Sequence, residues 1–509
     1  MKIRFVTLGC KLNFAESSAI GKALLEKGHT RAKQGEEADI CVINTCSVTD
    51  NADHKDRQTI HRIHRQNPNA IIIVTGCYAQ LQPEQIAQIE GVDYVLGQNE
   101  KYDIAQLVDE LCDRTLQKEL QNASNAATER SQKELQFKDK IHVCAIREVE
   151  EFHGAYSKDD RTRCFLKVQD GCNYFCTYCT IPYARGKSRN PRISEVVANA
   201  QKALAEGAKE IVLTGVNIGD FGRSTGETFL DLLKALDCLE APMQQAARNL
   251  NKSLSNDSDF IATAPHFGNI QNATAESSVN EARSERQEAK GERQEARGER
   301  QEARGENFEA KGMDYRIRIS SCEPNLLTDE IIDFVAHSKH FAPHFHIPLQ
   351  SGSNEVLSIM KRRYTRELFE ERVKHIKQVM PHAFIGVDCM VGVRGETEEC
   401  FNDYVEFIKR LDVSQLHVFT YSERANTRML ELDVCIVPKA ERQRRSKILH
   451  EISEEKTQTF YANQTGREVV VLWESKKEGD HMAGFTENYV KVHRPYNKEK
   501  VNTFEVIRL

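Results

Sequence analysis

From Met1 to Tyr421, short apolar runs rich in Ile and Val alternate with stretches of helical period, and this rhythm limits how the chain can fold more than any other feature. The runs IRFVTL, DICVIN, AIIIVTG and YVLG are each followed by a helical pattern: about Glu16 to Lys27, Ala52 to Arg65, from Pro83, and near Ile104 to Leu111. Strands separated by helices pair in parallel, because each connection must cross back over the sheet. The rhythm resumes at RCFLKVQDG and continues through EIVLTGVN, YRIRISS, HFHIPLQS, FIGVDCMVG and LHVFTYS. The helices expected between these run from Ser194 to Glu206, Glu227 to Leu239, Asp329 to His337, about Asn354 to Met380, and Thr397 to Leu411. The fold class read from this pattern is α/β: an N-terminal parallel sheet domain, then six βα units that suit a partial (β/α)6 barrel working at the carboxyl ends of its strands.

Cysteines close three of the four N-terminal strands, at TLGC10, INTC46 and TGC77. In an open parallel sheet these ends share one edge, where ligands collect, so Cys10, Cys46 and Cys77 are expected as neighbours in space. Gly9 and Gly76 let the backbone turn closely as two of them are presented. Three buried thiols at strand ends by chance is the plainer reading, and it is the one taken for Cys41 and Cys112. Lys11, Asn13, Asn44 and Thr45 flank the thiols, where they either orient them or serve as turn and cap residues.

A second set lies in one loop. CNYFCTYC, Cys172 to Cys179, spaces three cysteines as CxxxCxxC directly after a strand. Three thiolates hold three irons of a four-iron cluster and leave the fourth iron open. A zinc site completed by a distant His or Cys, or plain core thiols, would also fit three cysteines in eight residues. The residues just after the later strands are the remaining site candidates: Gly215 to Asn217, Ser320 to Glu323, Gln350 to Ser353 and Gly392 to Glu396. Each is equally readable as a turn. Cys322 and Cys389, without spacing partners, read as core or as groups that support the site from behind.

The chain has 509 residues, formal net charge -6 and 15 cysteines. The length exceeds one core, and the charge gives no global basic field for a nucleic acid, so any RNA contact must come from local patches. Cysteines in such number, with only a six-residue apolar-leaning run at the start and no apolar run near a membrane span, are read as belonging to a reducing compartment: a cytoplasmic protein, with no membrane partner. The domains expected are 1–112, a polar linker 113–140, a central domain 141–440 and a tail 441–509. The central domain is interrupted at 240–313 by an insert containing SERQEAK, GERQEAR and GERQEAR. That repeat has period seven, but Ala is its only apolar side chain, so it cannot make a coiled-coil seam and is read as a solvated excursion without chemistry. In the tail, KAERQRRSKILHEISEEK leads to EVVVLWES, MAGFTENYVKVHR and TFEVIRL, read as short strands of a small RNA-binding β-barrel. Arg442, Arg444, Arg445 and Lys447 are expected as a solvated basic face, and Trp473 as either a base-stacking surface or a core plug.

The CxxxCxxC loop with Tyr178 before its last cysteine resembles the signature of radical S-adenosylmethionine (SAM) enzymes. The whole chain apart from its inserts resembles the radical-SAM methylthiotransferase family: a domain with three separated cysteines, a radical-SAM barrel, and a terminal TRAM domain. TLGCKLN and RCFLKVQDGCNYFCTYCTIPYARGKSR look most like the branch that converts threonylcarbamoyladenosine, next to the anticodon of tRNA, to its 2-methylthio derivative. The resemblance implies two 4Fe-4S clusters, one auxiliary on Cys10, Cys46 and Cys77 and one that cleaves SAM on Cys172, Cys176 and Cys179. It places Tyr178 beside the adenine of SAM, and the strand-end residues Gly215, Asn217, Glu323, Gln350, Ser351 and Gly392 are the SAM-binding candidates. It also implies a tRNA anticodon loop as partner, a flavodoxin- or ferredoxin-like electron donor and a sulfur source. Phe14 to Ser17, FAES, and the long insert depart from the family pattern.

In the family a radical is needed because carbon 2 of adenine has no acidic proton. One SAM methylates a sulfur of the auxiliary cluster, and a second yields the radical that opens the base to the methylthio group. The base must then fit between the two clusters, so the cysteine-bearing edges of the two domains are expected to face each other. An unpaired loop base can be splayed into such a gap, whereas one in a stem cannot. Rival readings are a methylthiotransferase for isopentenyladenosine in tRNA or for a ribosomal-protein aspartate and, more distantly, an RNA-binding iron-sulfur electron carrier.

Overall fold

The structure is a computed structural model, described here for residues 1–33, 35–113, 140–157, 162–239 and 314–509. The expected insert 240–313, and all but the two ends of the linker 113–140, lie outside the described residues.

The N-terminal sheet has six parallel strands in the order β2-β1-β3-β4-β5-β6: β1 (Lys2–Thr7), β2 (Thr30–Arg31), β3 (Ile40–Thr45), β4 (Ile71–Gly76), β5 (Tyr94–Leu96) and β6 (Ile141–His142). β3 is buried along its whole length, as a strand covered on both faces must be. Alternate side chains feed two cores: Ile43, Val74 and Val95 on one face, where Ile60 of the helix Asp50–Gln66 joins them, and Ile3, Val42, Ile73 and Leu96 on the other. The helix expected near Glu16 starts earlier, at Lys11–Glu26, so Cys10 caps it directly. The helix expected from Pro83 begins there, as Pro83–Ala87, and a further short helix, Cys77–Leu81, precedes it; Pro83 lacks the N–H needed to join the two.

β7 (Arg163–Lys167), β8 (Glu210–Thr214) and β9 (Arg316–Ile319) form one parallel set, and β10 (His344–Gln350), β11 (Phe384–Val391) and β12 (Gln415–Thr420) another. Parallel bridges Ile317 to Phe341 and Ser321 to His346 join the sets into six successive strands. The outward faces and their helices make the largest core, with Leu166, Leu213, Ile319, Ile347, Val387 and Leu416 at the strands. The single helix expected from about Asn354 to Met380 is two, Asn354–Ile359 and Arg366–Val379. Lys361 takes a left-handed φ of 55° between them, and the Thr365 side chain caps the second by accepting from Leu368 N. Cap formation outweighs continuing the amphipathic period here.

The tail opens with the helix Lys439–Ala462 and ends in an antiparallel sheet ordered β15-β14-β13-β16: β13 (Glu468–Glu478), β14 (His481–Phe485), β15 (Lys491–Pro495) and β16 (Phe504–Arg508). This curled sheet is consistent with a small barrel packed round Trp473, which is 2% exposed and so is a core plug. The solvated basic face expected on the helix is only partly present. Arg445 is buried against Glu396, Glu398 and Glu441 at 2.6, 3.0 and 2.8 Å. Arg444 is paired to Glu398 and Glu441, and Arg442 donates to the carbonyls of Val437 and Tyr421. Among the described residues, no helix is long and apolar enough to cross a membrane.

The tail also closes the lower end of the barrel. Arg316 donates to the carbonyls of Val470 and Phe485, and Arg318 to those of Glu487 and Thr486. Both guanidinium groups are held by the buried Glu210, whose carboxyl they keep well below the usual range.

Candidate active site

The three N-terminal cysteines sit where parallel strands end on one edge. Gly9 has φ 93°, and a Cβ on it would lie 2.6 Å from Cys46 Cβ. Gly76 has φ 102°, and a Cβ there would lie 2.3 Å from the Thr45 carbonyl. Only glycine lets these two turns come this close to the edge carrying Cys46. Burial pushes the Cys46 thiol up to about 12, and the nearby thiols of Cys77 and Cys10 add to the rise. Burial likewise raises Cys77, against the pull of Arg185 and Lys101. The side chains beside the thiols lock the edge together. Asn13 Nδ2 donates to the carbonyls of Leu8 and Thr45 at 2.9 and 3.0 Å, Asn44 Nδ2 donates to the Asn13 carbonyl at 3.2 Å, and Thr45 Oγ1 donates to the Thr75 carbonyl at 2.5 Å. Gln98 Nε2 lies 3.4 Å from Cys77 Sγ.

The second triad lies in the loop after β7. Burial raises Cys172 to about 11 and Cys179 to about 12, with Cys176 adding to both. Gly171, φ 68°, opens the loop where a Cβ would lie 2.0 Å from the Lys187 carbonyl. Arg362 stands in the break between the two helices after β10. It donates through Nη1 to Cys176 Sγ at 3.2 Å and to the Tyr178 hydroxyl at 3.3 Å, and through Nη2 to Glu323. The sequence reading missed Arg362. Its signal was present in KRRYT, a basic turn before a cap residue inside an otherwise helical period.

The other candidates lie at the carboxyl ends of their strands with differing surroundings. A Cβ on Gly215 would meet the Gln169 carbonyl at 2.8 Å. Asn217 is buried with neither amide atom in hydrogen-bonding geometry, although it lies near enough to the Tyr174 hydroxyl to act on it. Glu323 is pushed up by burial, against the pull of Arg362. Gln350 takes a left-handed φ of 64° where β10 shifts register against β11, and the buried Ser351 accepts from Ser353 N at 3.2 Å. Gly392 is packed against Arg442 and donates to Glu396 at 2.9 Å, so its contacts anchor the loop after β11.

The two thiol edges meet. The helix Ile181–Arg185, directly after Cys179, packs against the helix that begins at Cys77, and Thr180 Oγ1 donates to the Ser47 carbonyl at 3.4 Å. Arg185 donates to Asn13 Oδ1 at 2.7 Å and to Glu16 at 3.0 and 3.2 Å. Lys101 and Lys167 also pair with Glu16, at 2.7 and 2.9 Å, while Asp170 holds Lys167, Arg185 and Arg189. Four bases thus face two acids in this buried junction. The imbalance suits an anion, and burial among cations pushes Lys101 down to about 8. Arg424 closes the loop after Cys46 by donating to Ser47 at 2.6 Å, Asp50 at 2.9 Å and Asp53 at 2.7 Å.

No cysteine is in a disulfide. Among the described residues no three His, Cys, Asp or Glu side chains converge tightly enough to cage a single metal ion. A four-iron cube, by contrast, holds its thiolates at separate corners. All-sulfur donor sets of three fit that group, and the buried amide of Asn217, without a hydrogen-bond partner, fits a polar small ligand.

The family model described as "Uncharacterized protein family UPF0004" matches residues 2–97, and "Radical SAM superfamily" matches 166–241 and 284–408. The chain is similar to the threonylcarbamoyladenosine tRNA methylthiotransferase MtaB of Bacillus subtilis, at 33% identity covering 96% of this chain and 89% of the relative. It is similar to that of Aquifex aeolicus at 31% identity, covering 98% of both chains. A tRNA-2-methylthio-N(6)-dimethylallyladenosine synthase of Pelotomaculum thermopropionicum is 26% identical over 95% of this chain and 88% of its own.

Proposed function

The chain belongs to the radical-SAM methylthiotransferase family, and from that premise we propose that it converts N6-threonylcarbamoyladenosine next to the anticodon of tRNA to its 2-methylthio derivative. What carries the reading is that both thiol triads sit on facing edges, joined through Arg185. Cys172, Cys176 and Cys179 would hold one 4Fe-4S cluster, and Cys10, Cys46 and Cys77 a second. When bound, the first cluster supplies the electron that cleaves SAM, and the second supplies the sulfur to be transferred.

The chain's own residues prepare both places. The thiols, raised by burial, give up protons on ligation, so loading is linked to proton release. Arg185 and Lys101 place positive charge beside Cys77, which stabilises an anionic sulfur centre there. Arg362 does the same for Cys176 and fixes Glu323 and Tyr178 around it. Tyr178, Gly215, Asn217, Glu323, Gln350 and Ser351 are the proposed SAM contacts, and Gly392 supports the adjoining loop. A tRNA anticodon loop supplies the base. A flavodoxin- or ferredoxin-like donor supplies electrons, and an external source replaces the transferred sulfur. A cytoplasmic location is the one proposed with these partners.

The test is iron and sulfide content after anaerobic reconstitution, with nucleoside mass analysis of tRNA from a deletion strain. About eight irons per chain are expected, falling to about four when Cys172, Cys176 and Cys179 are all changed to Ala. About four in the unaltered chain would make Cys10, Cys46 and Cys77 structural and end the methylthiotransferase reading. Loss of 2-methylthio-isopentenyladenosine instead of the threonylcarbamoyl product would move the acceptor to the alkylated base.

A further inference from the structure

Lys11 follows Cys10 directly and opens the helix whose next turn, Phe14 and Ala15, packs against Phe165 of β7 and Val212 of β8, residues that face the barrel lumen, so Lys11 begins that helix at the lumen. It is near enough to Arg163 on β7, Arg318 on β9, Asp388 on β11 and Tyr489 of the tail to feel their charges, and it acts in turn on His344 of β10 and His417 of β12. Only the barrel lumen is shared by all of these. Side chains alternate along a strand, and His346, Asp388 and His417 are the lumen-facing residues of adjacent strands. Asp388 is paired in register with His417, and the His346 and His417 rings are 5.0 Å apart.

The lumen holds several cations, and all but one are satisfied. Arg163 pairs with Glu474 at 3.0 Å and donates to the Tyr489 hydroxyl at 3.1 Å. Arg316 and Arg318 are taken by Glu210 and by carbonyls of the tail. His346 Nε2 and Asp388 Oδ1 are 2.7 Å apart. Lys11 alone among these lumen cations has no hydrogen bond or ion pair among the described residues. The lumen beside the pair is open, since His346 and Asp388 keep 21% and 17% of their side chains accessible.

An ammonium without a partner inside a protein is costly unless an anion joins it. We propose that Lys11 Nζ, which shares the lumen with the His346–Asp388 pair and His417, is the subsite for a carboxylate on the N6 substituent of the substrate adenine. The assignment rests on the proposed acceptor, whose threonyl group carries both a carboxylate and a hydroxyl. The carboxylate accepts from Lys11, and the hydroxyl has the free edge of Asp388 and the His417 ring as partners. An isopentenyl group would leave Lys11 unpaired, so the same residue disfavours the alkylated base. SAM also carries a carboxylate, and the test separates the two sources.

Full-length reconstituted protein is titrated with anticodon stem-loop RNAs carrying N6-threonylcarbamoyladenosine or its methyl ester, and separately with SAM. One charge-assisted hydrogen bond predicts a preference for the acid over the ester of about 10-fold to 100-fold. Lys11→Met should bring that ratio to within about twofold, and Lys11→Arg should restore most of it. Both RNAs meet the same preparation, so a general loss of fold or iron cancels in the ratio. Equal binding of acid and ester by the unaltered protein, or an undiminished ratio in K11M, overturns the subsite. A loss of SAM affinity in K11M as large as the loss for the acid RNA assigns Lys11 to the methionine carboxylate and overturns it too. Failure of the acceptor itself reads differently: the unaltered protein would then form no methylthio product on the acid RNA while modifying an isopentenyladenosine RNA.

Discussion

Arg185 donates to Glu16 through both terminal nitrogens, Nη1 to Oε1 at 3.0 Å and Nη2 to Oε2 at 3.2 Å. Glu16 lies on the helix that Cys10 caps, and Arg185 ends the helix that follows Cys179. One buried ion pair therefore sets how the two thiol edges stand to each other.

Glu16→Gln leaves Lys101, Lys167 and Arg185 without their shared carboxylate. Removing one partner of a buried pair costs about 3–5 kcal/mol. Guanidinium unfolding should show a loss of that order, and iron retained on the N-terminal triad should fall with it. An unchanged midpoint would mean that Asp170 alone holds the junction.

Arg424→Ala frees the loop after Cys46, because Ser47, Asp50 and Asp53 all lose a donor. Asp53 is then a buried carboxylate with only Ser47 to hold it, at 2.8 Å. The expected phenotype is faster iron loss from about four of the eight sites during gel filtration, with the SAM-cleaving half retained. Loss of all iron in parallel would show that the loop does not act on one triad alone.

Arg362→Met removes a cation and a hydrogen bond from Cys176 Sγ. Positive charge favours the reduced, more anionic cluster, so the potential of the radical-SAM centre should become more negative, by roughly 60 mV for each 1.4 kcal/mol of lost preference. Potentiometric EPR measures this directly, and uncoupled 5′-deoxyadenosine formation should slow. Arg362→Lys should lie between, since it keeps the charge without the fork that also reaches Glu323 and Tyr178.

Burial beside Arg467 and Lys377 pushes His382 down to about 4, from about 6.5 in an unfolded chain. The unfolded state therefore binds the proton more tightly. The stability this neutral ring contributes is complete above about pH 6.5 and is lost as pH falls towards 4. His344, held well below its ordinary value by burial and Arg318, acts in the same direction. The melting temperature should drop from pH 7 to pH 5, and less steeply in His382→Gln. Parallel slopes would show that His382 does not carry the effect.

Much of the fold was legible because its cause is local. The continuous apolar run in DICVIN and the alternation in HFHIPLQ indicated strands, and the helix Asp329–His337 begins and ends where its acidic start and basic end indicate. The long helix after β10 was misread because an amphipathic period carries across a short break, while the left-handed turn at Lys361 is a matter of backbone geometry. Arg445 was taken for surface because an arginine in a basic run does not announce partners: Glu396 and Glu398 are far from it in the chain.

The chemistry was therefore written in the sequence. Thiols at CxxxCxxC spacing and at three parallel strand ends carry their meaning in residue type and local position, which need no knowledge of distant contacts. What the tertiary structure decided is which charges meet: Glu16 with Arg185, Arg362 with Cys176, and Lys11 with the charges carried by the barrel strands. Such pairings span from 169 to 186 residues for the first two, and only packing brings such groups out of water together.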